Sequence, residues 1–192
     1  MGVIEDASTP NFLLTTVDAL LRWGRSHSLW ICNAGSACCS LEMLAMGGSR
    51  YDMDRIGTFV RGSPRQSDVL VIPGPITKKM APIFTRVYNQ MAEPRWVIAM
   101  GSCAITGGAF ADSYSMVRGA DKVLPVDVYI PGCPVRPEAL FYGLLKLREK
   151  VASTSYLGAG REPLGLYVPP ELPPEWCGEI AEFLAEDGGG DE

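Results

Sequence analysis

Three stretches of this chain are apolar on consecutive residues and stop at glycine or proline. Asp68-Val69-Leu70-Val71-Ile72 is closed by Pro73-Gly74-Pro75, Arg95-Trp96-Val97-Ile98-Ala99-Met100 by Gly101-Ser102, and Asp127-Val128-Tyr129-Ile130 by Pro131-Gly132. A strand exposed on one face alternates apolar and polar side chains, whereas a strand covered on both faces has no need to. A fourth run, Ser28 to Cys32, feeds Asn33-Ala34-Gly35-Ser36. Helical stretches separate these runs. Ala37 to Met46 is built of helix formers and stopped by Gly47-Gly48, Lys79 to Met91 has helical spacing and ends near Glu93-Pro94, and Pro137 opens a helix that reaches about Val151. Proline in a first turn costs nothing, because its missing N–H would have no partner there. Alternating strand and helix predicts an α/β fold, a parallel sheet with helices on both faces. In such folds ligands gather at the carboxyl ends of the strands.

Asn11 to Trp23 reads as one more helix, with Phe12, Leu13, Val17, Leu20, Leu21 and Trp23 near a 3.6-residue period. It has few polar residues, so it suits a partner or lipid surface as well as its own domain. The chain has 192 residues, the size of one domain. Its 17 Lys and Arg against 22 Asp and Glu give a net charge of −5, which argues against nucleic-acid binding. The charge is uneven. Residues 152–192 hold nine carboxylates against one base, Arg161, and include Pro163, Pro169, Pro170, Pro173 and Pro174. The expected organisation is therefore an α/β domain over residues 1–151, then an extended acidic tail over 152–192 that contacts partner subunits. Glu179 to Ala185 can form a short helix within that tail. No run reaches the ~18 apolar residues of a membrane span, and no signal peptide is visible, so reduced thiols are expected.

Four of the six cysteines lie in loops of one kind. Cys38 and Cys39 are adjacent after Gly35-Ser36-Ala37, Cys103 follows Gly101-Ser102, and Cys133 sits in Pro131-Gly132-Cys133-Pro134. Three segments would thus bring four thiols to one sheet edge. A structural zinc site favours C-x2-C pairs, and none is present. A redox disulfide favours the same spacing, and a bridge between neighbours is strained. One histidine, His27, makes a His-rich site improbable and lies too far from these motifs to join them. Four thiolates are the usual complement of a [4Fe–4S] cluster. Glycine beside each ligand lets backbone N–H groups approach its sulfur atoms. Cys32 and Cys177 lack such surroundings and read as ordinary buried cysteines.

These motifs are joined by Arg50-Tyr51-Asp52-Met53-Asp54-Arg55-Ile56-Gly57, Arg61-Gly62-Ser63-Pro64-Arg65-Gln66-Ser67-Asp68, Lys79-Met80-Ala81-Pro82, Val87-Tyr88-Asn89-Gln90-Met91 and Glu93-Pro94-Arg95-Trp96. Over roughly residues 11 to 151 the chain resembles the small iron–sulfur subunit of respiratory complex I. The resemblance implies a flavodoxin-like fold, shared with the small subunit of nickel–iron hydrogenases. It implies one [4Fe–4S] cluster on Cys38, Cys39, Cys103 and Cys133, the terminal cluster that reduces quinone in a proton-pumping NADH:quinone oxidoreductase. It further implies a large hydrogenase-like partner with quinone at the interface, a ferredoxin-like iron–sulfur subunit, membrane subunits, and a peripheral place on the cytoplasmic side of the inner membrane. Small subunits of membrane-bound hydrogenases, or of ferredoxin- or F420-dependent quinone or phenazine reductases, are the alternatives. The vicinal pair separates the chain from hydrogenase small subunits, which favour C-x-x-C there. Two departures stand out: Trp30 is followed by Ile31-Cys32-Asn33-Ala34-Gly35-Ser36-Ala37 where the family has Trp-Pro and a Phe-Gly-Leu-Ala stretch, and Cys133 by Pro134-Val135-Arg136-Pro137.

By the same resemblance, the helix after Cys39 lines the quinone pocket, with Leu41, Met43, Leu44 and Met46 as wall candidates. Arg61 and Arg65 are candidates for raising the potential or tethering a partner carboxylate. Glu42, Asp52 and Asp68 are candidates for proton movement coupled to reduction, and Asp54 reads as solvated surface charge. No G-x-G-x-x-G follows a strand, so a nicotinamide site is not expected in this chain.

Overall fold

The computed structural model describes residues 12–154. The acidic tail from residue 155, with Cys177 and the expected Glu179 to Ala185 helix, lies outside the described residues.

Each apolar run is a strand. In chain order the elements are α1 (Phe12–Ser26), β1 (Leu29–Asn33), α2 (Cys38–Met46), β2 (Thr58–Arg61), β3 (Val69–Pro73), β4 (Ile76–Thr77), α3 (Ala81–Asn89), β5 (Trp96–Met100), α4 (Ser102–Thr106), β6 (Met116–Val117), β7 (Val128–Ile130) and α5 (Pro137–Ser153). Five strands form one sheet in the order β2-β1-β3-β5-β7, with every pairing parallel. β4 and β6 make a separate antiparallel pair. The winding direction reverses between β1 and β3, the place where such sheets open a crevice at their carboxyl edge.

Side chains alternate between the two faces of a strand, and both faces are covered. Ile31, Val69, Val71, Ile98 and Met100 pack with Met43 and Met46 of α2 and Leu140, Leu144 and Leu147 of α5. Leu70, Ile72, Val97 and Ala99 face the other way, against Ala81, Phe84 and Tyr88 of α3 and the Val123-Leu124 turn. Full burial of one such side chain stabilises the fold by roughly 1.5–3 kcal/mol.

The amino edge of the sheet is closed by two carboxylates. Asp68, just before β3, accepts the Trp30 N–H at 3.2 Å and donates its own N–H to the Trp30 carbonyl at 2.9 Å. Asp127, just before β7, accepts the Val97 N–H at 2.9 Å and pairs with Lys150 at 2.7 Å. Helix α1 runs past the expected Trp23 to Ser26 and lies against α5. Its packing inverts the usual pattern: Asp18 is buried and paired with Arg22 at 3.2 Å, while Val17, Leu20 and Trp23 are exposed at helical spacing.

Candidate metal centre

The carboxyl edge of the sheet is made of loops that interlock. Ala34, after β1, donates its N–H to Val71 of β3 at 3.1 Å, and the Ser36 hydroxyl donates to the Pro75 carbonyl at 3.2 Å. After β5, the Gly101 N–H donates to Ile130 at 2.8 Å, and the Ser102 N–H and hydroxyl both reach the Gly132 carbonyl, at 2.9 and 3.1 Å. The loops that follow β5 and β7 are thereby fixed to each other.

On this framework sit Cys38 and Cys39 at the start of α2, Cys103 on α4 and Cys133 in the loop after β7. All four are free thiols: Cys39 is buried, Cys103 half-buried, and Cys38 and Cys133 exposed. Their electrostatics tie them together. Burial is the main cause that raises the Cys39 thiol pKa, and the neighbouring Cys38 and Cys103 add to it, while a hydrogen bond from the Val135 backbone lowers it. Burial likewise raises Cys103, followed by Cys133 and Cys38, against a lowering hydrogen bond from the Ala109 backbone. Cys38, Cys103 and Cys133 therefore each act on a neighbouring thiol, and two backbone N–H groups already point at sulfur.

Close approach explains two glycines. Gly101 has φ +92°, and a Cβ there would lie 2.7 Å from the Cys39 sulfur; Gly108 has φ +51°, and a Cβ would lie 3.2 Å from the Cys103 sulfur. Space is kept beside two of the four thiols by omitting side chains.

The donor set can be tested against the groups it might hold. Around one tetrahedral zinc, Zn–S bonds of ~2.3 Å put sulfurs about 3.8 Å apart. Among the described residues no three His, Cys, Asp or Glu side chains close on a single ion in this way. Four soft thiols at one edge of the sheet, two of them with backbone N–H groups and glycine clearance at sulfur, suit a thiolate-held multi-iron cluster, whose ligands reach separate iron corners.

The structure sorts the other candidate residues. Leu41 and Leu44 are 68% and 62% exposed on the open side of α2, whereas Met43 and Met46 are sealed in the core. The apolar wall that α2 offers is leucine, not methionine. Glu42, on the same helix, is half-buried. Asp52 is exposed in a left-handed turn with φ 49°. Asp68 is not brought to the thiols: it lies at the opposite edge of the sheet, a strand length away at ~3.3 Å per residue. Burial raises its carboxyl pKa, opposed by the Trp30 N–H and by Arg25. Arg65 is exposed, while the Arg61 guanidinium stacks over Trp30 and Phe59 at 4.3 and 4.7 Å, its Nε buried without a partner.

Sequence reasoning did not find the Val135 and Ala109 donors, because a backbone N–H leaves no residue signature. It also missed the bond from the Tyr51 hydroxyl to Glu138 at 3.0 Å, which ties the segment after α2 to the start of α5. Glu138 is held below the usual carboxylate range by its own backbone N–H and by Tyr51. No short motif links residues so far apart in the chain.

Residues 37–147 match the model of the family described as NADH ubiquinone oxidoreductase, 20 Kd subunit. An NADH-quinone oxidoreductase subunit of Heliobacterium modesticaldum is 54% identical over 158 residues, 82% of this chain and 90% of that protein. A chain in the structure of the membrane-bound sulfane sulfur reductase, an archaeal respiratory membrane complex, superposes with a TM-score of 0.69 at 33% identity, over 90% of this chain and 96% of that one. A chain of an NAD+-reducing [NiFe]-hydrogenase shares the fold, with a TM-score of 0.50 at 19% identity over 74% of this chain and 99% of that one. By motif, by sequence and by fold, this chain belongs to the 20 Kd subunit family of NADH ubiquinone oxidoreductase.

Proposed function

We propose that this chain is the electron-transfer subunit of a proton-pumping NADH:quinone oxidoreductase, and that Cys38, Cys39, Cys103 and Cys133 hold a [4Fe–4S] cluster from which quinone is reduced. The observation that carries the reading is the meeting of four unbridged, electrostatically coupled thiols from three segments at the carboxyl edge of the sheet. When bound there, the cluster supplies one-electron storage and transfer.

The chain's own residues do the rest. Cys39 and Cys103 already receive backbone hydrogen bonds that favour negative charge on sulfur. Leu41 and Leu44 present an apolar wall one turn beyond the vicinal pair, suited to a hydrophobic ring. A large hydrogenase-like subunit would close that wall from outside. Among the described residues no helix is long and apolar enough to cross a membrane, and the exposed stripe of Val17, Leu20 and Trp23 suits attachment to another subunit. NADH oxidation falls to a different subunit, and a ferredoxin-like subunit would feed electrons to this one.

The 33% likeness to a chain of a sulfane sulfur reductase complex favours a second reading, in which the acceptor is a sulfur compound. One experiment addresses both. The native complex is isolated anaerobically, its companions are identified by mass, and quinone and polysulfide reduction are assayed side by side. Quinone reduction with a hydrogenase-like companion is expected. In the same complex Leu44→Trp should weaken a quinone-site inhibitor about tenfold, ~1.4 kcal/mol. Unchanged inhibitor binding in a fully assembled complex would remove α2 from the quinone site, and polysulfide reduction alone would replace the quinone reading.

A further inference from the structure

The chain after α4 folds back over the Cys103 segment, and one side chain pins it there. Gly107 donates its N–H to the Cys103 carbonyl at 3.1 Å, and a single 3-10 turn follows, Gly108–Phe110. The fold-back is tight. Gly107 has φ +89°, and a Cβ there would lie 3.0 Å from the Ala111 Cα. Gly119 brings the chain back at φ +110°, where a Cβ would lie 2.9 Å from the Ile105 carbonyl oxygen of α4. Residues 107–119 thus leave α4 and return to it as a closed lobe.

Arg118 reaches back across the mouth of this lobe. Its Nε donates to the Ala111 carbonyl at 2.6 Å, and its Nη2 to the Asp112 carboxylate at 3.2 Å. The planar guanidinium holds both directions at once, which a point charge on a flexible stem does not. Both bonds are at the surface, so the ion pair with Asp112 adds little stability. What the fork fixes is the end of the 3-10 turn. Ala111 gives its own N–H to the Gly108 carbonyl at 3.3 Å, so Arg118, Ala111 and Gly108 are joined through one peptide segment.

Between Gly108 and Ala111 lies Ala109, the backbone donor to Cys103. Gly108 itself is packed against that residue, its absent Cβ 3.0 Å from the Cys103 nitrogen and 3.2 Å from the sulfur. Hydrogen bonds weaken steeply as their angle falls, so an N–H on a three-residue turn keeps its bond only while the turn keeps its shape. Hydrogen bonds to the sulfurs of an iron–sulfur centre favour its reduced, more negative state.

We propose that Arg118 is a positioning residue: by holding the Ala111 carbonyl it keeps the Ala109 N–H aimed at the Cys103 sulfur, and so raises the reduction potential of the centre held there. The proposal rests on the four-thiol reading above and adds to it a residue outside the ligand motifs.

The test uses the intact complex. The paramagnetic signal of the reduced cluster is followed in a potentiometric titration, and its coupling to exchangeable deuterons is measured after transfer into heavy water. Arg118→Ala should lower the reduction equilibrium constant about threefold, ~28 mV where a tenfold change in a one-electron couple is ~59 mV. It should also weaken the coupling of one deuteron. Arg118→Met keeps a long stem without donors and should do the same. An Arg118→Ala complex with full signal and an unshifted potential would overturn the proposal. A lowered potential with every deuteron coupling unchanged would overturn it too, because the residue would then act through its charge alone. If Arg118→Ala does not assemble, unchanged couplings in Arg118→Met decide against the proposal equally. These results leave the four-thiol reading standing, whereas an absent signal in the unaltered complex would overturn both.

Discussion

The two edges of this sheet are built from opposite chemistry. At the amino edge, Asp68 and Asp127 accept N–H bonds from the neighbouring strands, and Asp127 is paired with Lys150 at 2.7 Å. Both carboxylates are thus matched within the chain. At the carboxyl edge, four free thiols cluster among glycines with positive φ, and Asn33 and Arg61 carry buried polar atoms without partners. A parallel sheet places every loop that follows a strand at one end, so ligand groups from distant segments collect there and the other end is left to closure. Strained backbone costs stability and gathers at functional sites, so the left-handed glycines beside the thiols support the proposal that the carboxyl edge is the working one.

The comparison predicts different outcomes for mutations at the two edges. The largest effect belongs to Cys103→Ser, which should abolish the cluster's paramagnetic signal and quinone reduction in the complex, while Cys177→Ser leaves both intact; measured spectra and turnover check this. Gly101→Ala comes next. It places a Cβ 2.7 Å from the Cys39 sulfur at φ +92°, and should cost about 1–3 kcal/mol of stability in urea unfolding together with a large fraction of bound iron. At the other edge Asp127→Ala leaves the buried Val97 N–H without its acceptor. It should cost a comparable ~1–3 kcal/mol, yet leave the spectrum of the assembled complex unchanged. A shifted spectrum would mean that the edges are coupled.

The smallest effect concerns pH. Burial raises the Asp68 pKa in the folded chain above its unfolded value. The folded state then binds more protons, so the contribution of Asp68 is fully present below the unfolded pKa and is lost as pH rises through the folded one. Asp68→Asn retains an oxygen for the Trp30 N–H and removes the buried charge. Its stability should match the parent at low pH and exceed it at neutral pH. Parallel unfolding curves at the two pH values, with the parent more stable at neutrality, would contradict this.

The strands were legible because burial on both faces leaves an uninterrupted apolar run, as in Val69 to Ile72, and the cysteine loops were legible because Gly-Ser-Cys and Pro-Gly-Cys-Pro close such runs. β2 was not expected. Thr58-Phe59-Val60-Arg61 lies at the sheet's edge, and its polar ends and exposed Phe59 erase the signal. α4 was hidden by its length of five residues between glycines. On α2 apolar residues surround the helix, so periodicity could not tell core Met43 and Met46 from open Leu41 and Leu44. For α1 the period was right, but a helix that buries Asp18 and exposes Trp23 reads the same as its reverse until its neighbour α5 is in place. Asp68 shows the limit of proximity in sequence: it is seven residues from Arg61 yet opens β3, while Arg61 ends β2, so parallel strands carry them to opposite edges.

The central claim is best tested by locating iron in the intact, anaerobically isolated complex, through an anomalous difference map recorded at the iron absorption edge. The account predicts an iron peak enclosed by the sulfurs of Cys38, Cys39, Cys103 and Cys133. A map with no iron at this edge of the sheet, or with these sulfurs joined in disulfides, would contradict it.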